Sequence, residues 1–597
     1  MMQNLDLAPI GNCSFSALVD RRGEFVWACA PRVDGEPLFC SLLDVERDAR
    51  DRQGIWSVEL EGLARAEQAY LRNTPVLRTV LRDESGDELE ILDFAPRYRQ
   101  FGRIYRPAAL VRILRPLRGA PRVRILMRPA TEWGARAAGV THGSNHIRYV
   151  GADWTFRLST NCAVSHILEE RTFRLEEPLA LFFGPDEPFS GDVLSAALNM
   201  LHETSAYWRE WVRTLALPLE WQEAVIRAAI TLKLCAYEET GAIVAALTTS
   251  IPEHADSGRN WDYRFCWLRD AYYVVQALNR LGATDMLENY LGYLRNIVDQ
   301  ADGGHIQPVY GVGMEEDLTE RQVTTLAGYR GMGPVRVGNQ AHEHLQHDVY
   351  GQVILSNVQA FFDERLLRPA TADDFAALER VGERAFALHD QPDAGLWEFR
   401  TIARIHTYSA LLSWAACDRL GNAAEALGFA DRADFWRDRA RKVRARIETE
   451  AWNADEGRFA ASLGGRELDA SLLQLVDLRF IAPDDPRFLA TFDAVERELR
   501  RGSHVLRYAD ADDFGAPVTA FNFCTFWFIE ALHLVGRSAE ARELFEEMLA
   551  ARTHSGLLSE DMAFADGELW GNYPQTYSLV GLINCAVQLS RPWSAVR

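Results

Sequence analysis

Near residue 190 the hydrophobic pattern of this 597-residue chain changes period, and that change demands two dissimilar folded units. Before it, short apolar runs alternate with Gly-bearing turns. Ser16–Asp20, the turn Arg21-Arg22-Gly23 and Glu24–Trp27 read as strand, turn, strand. Val76–Leu81, the turn Glu84-Ser85-Gly86-Asp87 and Leu89–Phe94 repeat the pattern, and Ala108–Leu114 and Val123–Met127 continue it. This spacing predicts an N-terminal antiparallel β-sandwich over residues 1–190, with buttressing of a neighbour as its expected role. Val193, Leu194, Ala197, Leu198, Leu201 and Trp208 then fall near helical spacing, and Pro218 breaks the run, which predicts a helical linker over 191–220.

From Trp221 onward the period is helical. Val225, Ile226, Ala229, Ile230 and Leu234 share a face, and helical runs recur at 271–280, 286–298, 349–361, 373–388, 406–420, 431–452, 523–535 and 538–550. Successive helices joined by long aromatic-rich loops predict an all-α helical barrel over 221–597. A helical solenoid is the alternative, but no fixed-period repeat favours it. The expected class is multidomain α+β: a sandwich followed by a barrel.

Net charge is −21 with no block of Lys or Arg, which argues against nucleic acid and anionic membrane as partners. No long apolar run is present that would span a bilayer, and Met1–Asn12 lacks a basic region followed by an apolar one. The nine cysteines are dispersed without a C-x-x-C pair, as expected of reduced core thiols in a cytoplasmic protein. The sequence leaves a homo-oligomer open.

The densest chemistry lies in Ser257–Tyr273. Trp261, Tyr263, Phe265 and Trp267 alternate with Arg259, Asp262, Arg264, Arg269 and Asp270. Aromatic faces beside paired Arg and Asp suit a small carbohydrate: rings stack on its C–H faces and charged groups bond its hydroxyls. A buried ion-pair turn is the plain structural alternative. Two further loops carry acids beside aromatics. In Gly395-Leu396-Trp397-Glu398-Phe399-Arg400, an indole wall from Trp397 would desolvate Glu398 and favour the neutral form that a general acid needs; a salt bridge to Arg400 or Arg404 is the other reading. Glu560, in Gly556–Met562, is a candidate base or a capping acid, and Tyr573 and Gln575 in the following loop offer hydroxyl-reading groups. Two carboxyls across a pocket suit glycoside hydrolysis. His342, His344 and His347 miss the helical zinc spacing because Gln346 stands at the second His position, so no metal is expected there. No phosphate loop or dinucleotide fingerprint is present, Ser409 lacks a nucleophile elbow, and no cofactor is expected.

These segments together resemble glycoside hydrolase family 15: the glucoamylases, glucodextranases and trehalase-like enzymes. The resemblance spans almost the whole chain, through Ile10-Gly11-Asn12, Trp27 to Asp34, Arg259–Arg264, Cys266–Asp270, Pro334–Asn339, Asp348–Gly351, Gly395–Glu398, Leu468–Leu472, Phe526-Trp527, Leu557–Glu560 and Gly571–Gln575. It implies a β-sandwich followed by an (α/α)6 barrel, and an exo-acting, inverting α-glucoside hydrolase that releases β-glucose. Glu398 is similar to the family's general acid and Glu560 to its general base. Arg269 and Asp270 resemble the pair that holds the terminal glucose, with Trp267 and Trp397 as walls and Tyr263, Tyr573 and Gln575 as further substrate contacts. An inverting phosphorylase and a non-catalytic sugar-binding homologue are the alternatives. The chain departs from the family pattern at Val518, at Leu579 and in the His-rich run after Asn339, departures that bear on leaving-group specificity rather than on the acid and base.

Overall fold

The computed structural model describes residues 3–44, 52–188 and 191–596. The expected boundary at residue 190 itself lies outside the described residues. N-terminal to it stand two antiparallel sheets, one of seven strands and one of eight. The hairpin Leu77–Asp83 with Glu88–Phe94 sits within the larger sheet, in the register Leu77↔Asp93.

Alternation along Leu110–Arg118 shows how the sheets are held. Leu110 and Leu114 face the core between the sheets, while Val111 and Ile113 face the opposite side. The shared core is aromatic. Phe25 stacks on Trp56 at 4.7 Å from one sheet, Phe156 stacks on Phe183 at 4.9 Å from the other, and Trp56 meets Phe183 edge-on at 5.8 Å. Arg112 also lies on the inner face, bonding both oxygens of its cross-strand partner Asp93 at 2.7 and 2.9 Å. The other face of the larger sheet is covered by the helix Val193–Thr214, through Val193, Ala197 and Met200.

The helical region runs as pairs. We label its helices α1 Gln222–Leu234, α2 Leu268–Arg280, α3 Thr284–Ala301, α4 Asp348–Val358, α5 Ala372–Leu388, α6 Thr407–Ala426, α7 Ala430–Glu450, α8 Gln474–Asp477, α9 Pro486–Leu499, α10 Asn522–Leu534, α11 Ser538–Ala550 and α12 Thr576–Leu589. The even-numbered members pack successively on one another. α2 meets α4, α4 meets α6, α6 meets the 3-10 turn Ala470–Leu473 that leads into α8, that turn meets α10, α10 meets α12, and α12 returns to α2. Composition explains the order. α10, Asn-Phe-Cys-Thr-Phe-Trp-Phe-Ile, is buried all round, whereas α11 buries one stripe: Ala541, Leu544, Phe545 and Met548. α9 opens with the cap Asp485, whose carboxylate accepts from Arg487 N, and Pro486 at its first turn.

The two regions are joined through polar contacts beneath the helical loops. Trp27 Nε1 donates to Leu247 O at 2.8 Å, and Arg264 donates to Gly35 O at 2.6 Å while gripping both oxygens of Asp262. All nine cysteines are buried. No helix among the described residues is long and apolar enough to cross a membrane.

Candidate active site

Loops at one end of the even-numbered helices form an open cleft lined by Glu398 and Glu560 among others. The Glu398 loop is pinned at its neck by reciprocal backbone bonds between Asp393 and Arg404, and by Ala394 N to Leu345 O at 2.9 Å. Glu398 has φ of +59°, a left-handed conformation that costs a non-glycine residue about 1–3 kcal/mol and needs its surroundings to hold it. Those surroundings act on one oxygen. Glu398 Oε1 accepts from Trp267 Nε1 at 2.7 Å, Arg269 Nη2 at 3.1 Å and Gln346 Nε2 at 3.3 Å. Oε2 accepts no hydrogen bond among the described residues, and the side chain keeps 23% exposure.

Arg269 is used to capacity. It also donates to Tyr577 OH at 2.6 Å, Gln346 Oε1 at 3.1 Å and Leu396 O at 3.1 Å. Its neighbour Asp270 is buried, and its Oδ2 has no hydrogen-bond partner among the described residues. Burial pushes the Asp270 carboxyl up to about 7, against the pull of Arg269. This deep end of the cleft therefore offers one fixed cation and one carboxyl oxygen, Asp270 Oδ2, that lies 3.5 Å from Arg269 Nε but accepts no hydrogen bond among the described residues.

Glu560 is 2% exposed. Its Oε1 accepts from Tyr263 OH at 2.6 Å, and its Oε2 faces Asn572 N at 3.4 Å. Burial and then the charge of Glu253 push Glu560 up to about 8, while the Tyr263 hydroxyl and Arg507 oppose the rise. Asp561, buried beside it, is pushed well above the usual carboxylate range by burial, then by the charges of Glu253 and Glu560. Glu253 is held by Arg507 and by Trp261 Nε1 at 3.1 Å. The two candidate carboxyls are connected by aromatic rings: Tyr263, bonded to Glu560, meets Trp267, bonded to Glu398, edge-on at 5.5 Å. Gly571 makes the Glu560 pocket possible. It has φ of +72°, and a Cβ there would lie 2.6 Å from Glu560 Oε2.

Tyr263, Trp267, Arg269, Asp270, Trp397 and Gln575 line this cleft with the two carboxyls. Tyr573 does not. It is fully buried and its hydroxyl donates to Leu7 O at 2.7 Å, so it ties the Glu560 loop to the N-terminal region. Trp397 lines the cleft beside Glu398 but does not hydrogen-bond it. Trp397 points its Nε1 to Asp469 Oδ2 at 2.7 Å, and Trp267 is the indole that touches Glu398. Arg400 and Arg404 pair with Glu320 and Glu467 rather than with Glu398. Of the histidines, His344 lines the cleft, while His347 turns Nδ1 to Gln391 O. Val518 is exposed and Leu579 is core. Residues that the sequence reading passed over are Glu253, Arg507 and Tyr577, together with Gln346 in its role on Glu398. Tyr577 stands two residues after Gln575, and Arg507-Tyr508 precedes an acid-rich loop, but their partners are far away in sequence.

A helical region presenting paired carboxyls in an aromatic, arginine-bearing cleft is the arrangement of a glycoside hydrolase. The sequence profile described as Glycosyl hydrolases family 15 matches residues 221–587, more than half of the chain, and the protein belongs to that family. A trehalase of Thermoplasma volcanium is 29% identical over 97% of this chain and 92% of its own length. A trehalase of Mycobacterium tuberculosis is 29% identical over 98% of this chain and 89% of its own. Among solved structures, a bacterial glucoamylase complexed with acarbose superposes with a TM-score of 0.71 at 14% identity, covering 98% of this chain and 94% of that one, a likeness of fold.

Proposed function

We propose that the enzyme hydrolyses a small α-glucoside, trehalose foremost, with inversion at the attacked anomeric carbon. The observation that carries this reading is that Glu398 and Glu560 line one cleft, each anchored through an oxygen to a different member of the Tyr263–Trp267 ring pair. The trehalases that match nearly end to end supply the choice of substrate. The scaffold is read as an (α/α)6 barrel whose inner ring is the closed series of even-numbered helices, with the odd-numbered ones outside.

The terminal glucose occupies the deep end, where Asp270 Oδ2 accepts from a sugar hydroxyl and Arg269 fixes the surrounding groups. Trp267 and Trp397 form walls, and Gln575 reaches the same space. Glu398 carries its proton on Oε2 and gives it to the glycosidic oxygen as that bond breaks. A water on the opposite sugar face loses a proton to the Glu560 carboxylate while its oxygen bonds to the anomeric carbon. The attacked glucose leaves as the β-anomer. Inversion requires the carboxyls to stand about 6.5–9.5 Å apart, leaving room for that water. The buried, dispersed cysteines, with no C-x-x-C pair, favour a reducing cytoplasmic setting.

Glu398→Gln and Glu560→Gln test the assignment. Each is expected to lower kcat on trehalose by about 10²–10⁴-fold while glucose binding is kept. Full turnover by either variant would refute it.

A further inference from the structure

The polar groups at the outer end of the cleft are nearly all spoken for. Arg400 pairs with Glu320 at 2.9 Å and lies 4.5 Å over the Trp261 ring. Asp512 is held by Arg259 at 2.5 Å and by the Tyr508 hydroxyl. Asp513 accepts from Arg400 N at 2.6 Å and Thr401 N at 3.2 Å. Trp261 gives its N–H to Glu253 and meets Phe514 edge-on at 5.1 Å.

His344 differs. It lines the same cleft, yet neither ring nitrogen has a hydrogen-bond partner among the described residues, and both nitrogens are out of contact with solvent. Leaving a polar group unpaired is costly, and this one stands at the cleft wall with a donor and an acceptor to offer. Its backbone is held on both sides. His344 N donates to Ala341 O at 3.0 Å, and Leu345 O accepts from Ala394 N at 2.9 Å, which ties the segment to the loop carrying Glu398. Asn339 anchors the start of the turn, accepting from Ala341 N at 2.9 Å and donating to Asp262 O at 3.2 Å.

We infer that His344 is a specificity-determining residue of the leaving-group end, hydrogen-bonding a hydroxyl of the departing sugar. The inference rests on the hydrolytic reading above and assigns a recognition group to its outer subsite. A neutral imidazole presents one N–H donor and one lone-pair acceptor, which suits adjacent hydroxyls of a pyranose. Burial favours that neutral form by lowering the ring's pKa, with Arg400 acting in the same direction and Glu398, Glu343 and Asp513 in the other. His342, whose Nε2 lies 3.9 Å from Glu343 and also lacks a hydrogen-bond partner among the described residues, does not line the cleft, and His347 is engaged by Gln391 O, so neither substitutes for it.

The test compares two substrates in His344→Ala and His344→Gln. One is whichever of trehalose, maltose and isomaltose the wild-type enzyme hydrolyses fastest. The other is α-glucosyl fluoride, whose leaving group has no hydroxyls. His344→Ala should raise KM for the disaccharide about tenfold with kcat nearly unchanged, as expected when a bond made equally in ground and transition states is lost. Turnover of α-glucosyl fluoride should stay within about twofold of wild type, and His344→Gln should recover most of the disaccharide KM. A parallel loss on both substrates, or no loss on either, would overturn the inference. Wild-type inactivity on trehalose alone would sink the substrate choice and leave this test intact. Inactivity on all four compounds would remove the hydrolytic reading, and this inference with it.

Discussion

Tyr263→Phe removes one oxygen from the wall of the cleft and nothing else. The ring that meets Trp267 at 5.5 Å remains, while Glu560 Oε1 loses its 2.6 Å donor. Tyr263 itself is buried and held well above the usual phenol range, so it stays a donor throughout the assay range. A hydrogen bond to a charged group contributes about 1.5–3 kcal/mol. One pH unit corresponds to about 1.36 kcal/mol, so losing the bond moves the Glu560 pKa by about 1–2 units. The sign is fixed by which form the hydroxyl stabilises. It donates to the carboxylate and thereby holds the pKa down, so the variant's Glu560 protonates at higher pH than the wild type's, itself already pushed up to about 8. The acid limb of kcat/KM, which reports the free enzyme's base, should therefore shift upward. Well below both limbs the variant should be about 10–100-fold slower, and well above them the two enzymes should converge to within a few-fold. The assay is a pH series of initial rates of glucose release. An unchanged limb, a downward shift or a pH-independent loss would refute the argument that this hydroxyl tunes a base.

Three further outcomes follow from the same contacts. Glu253→Gln removes the charge that raises Glu560 and releases Arg507 and Arg259; both changes favour the carboxylate, so the acid limb should move to lower pH by about one unit, read from the same rate series. Gly571→Ala forces a Cβ to 2.6 Å from Glu560 Oε2 at a positive φ; kcat should drop more than about tenfold while circular dichroism stays native, at a backbone cost of about 1–2 kcal/mol. Arg112→Ala strands Asp93 between the sheets, where both side chains are 0% exposed, and should destabilise the fold by about 3–5 kcal/mol in denaturant unfolding.

The parts of the fold legible in sequence are those where one local rule decides the outcome. The hairpin Leu77–Asp83 with Glu88–Phe94 has two apolar runs about a Gly86 turn, the first with alternating burial, so its strands are readable. The buried Arg112–Asp93 pair was not, because charges at alternate strand positions look like a solvated face until the second sheet is in place. Helix Pro486–Leu499 carried a start signal in Asp485-Pro486 that the periodicity scan passed over. At the site, Ser257–Tyr273 stood out because its aromatic and charged residues are consecutive. Trp397 was assigned to Glu398 because they adjoin in sequence, yet the left-handed backbone at Glu398 sends the two side chains to different partners. Tyr573 was placed in the cleft on composition, but its loop turns Gln575 toward the cleft and Tyr573 toward Leu7. Glu253 and Arg507 act on Glu560 from loops remote in the chain, and their influence is electrostatic and three-dimensional.

The central claim is that Glu398 protonates the glycosidic oxygen while a water activated by Glu560 attacks the anomeric carbon from the opposite face. Proton NMR of glucose released from trehalose, recorded before mutarotation, tests it directly. Attack with inversion converts one glucose to the β-anomer and frees the other as α, so equal amounts of the two should appear at the earliest times. Release of α-glucose alone would contradict the account.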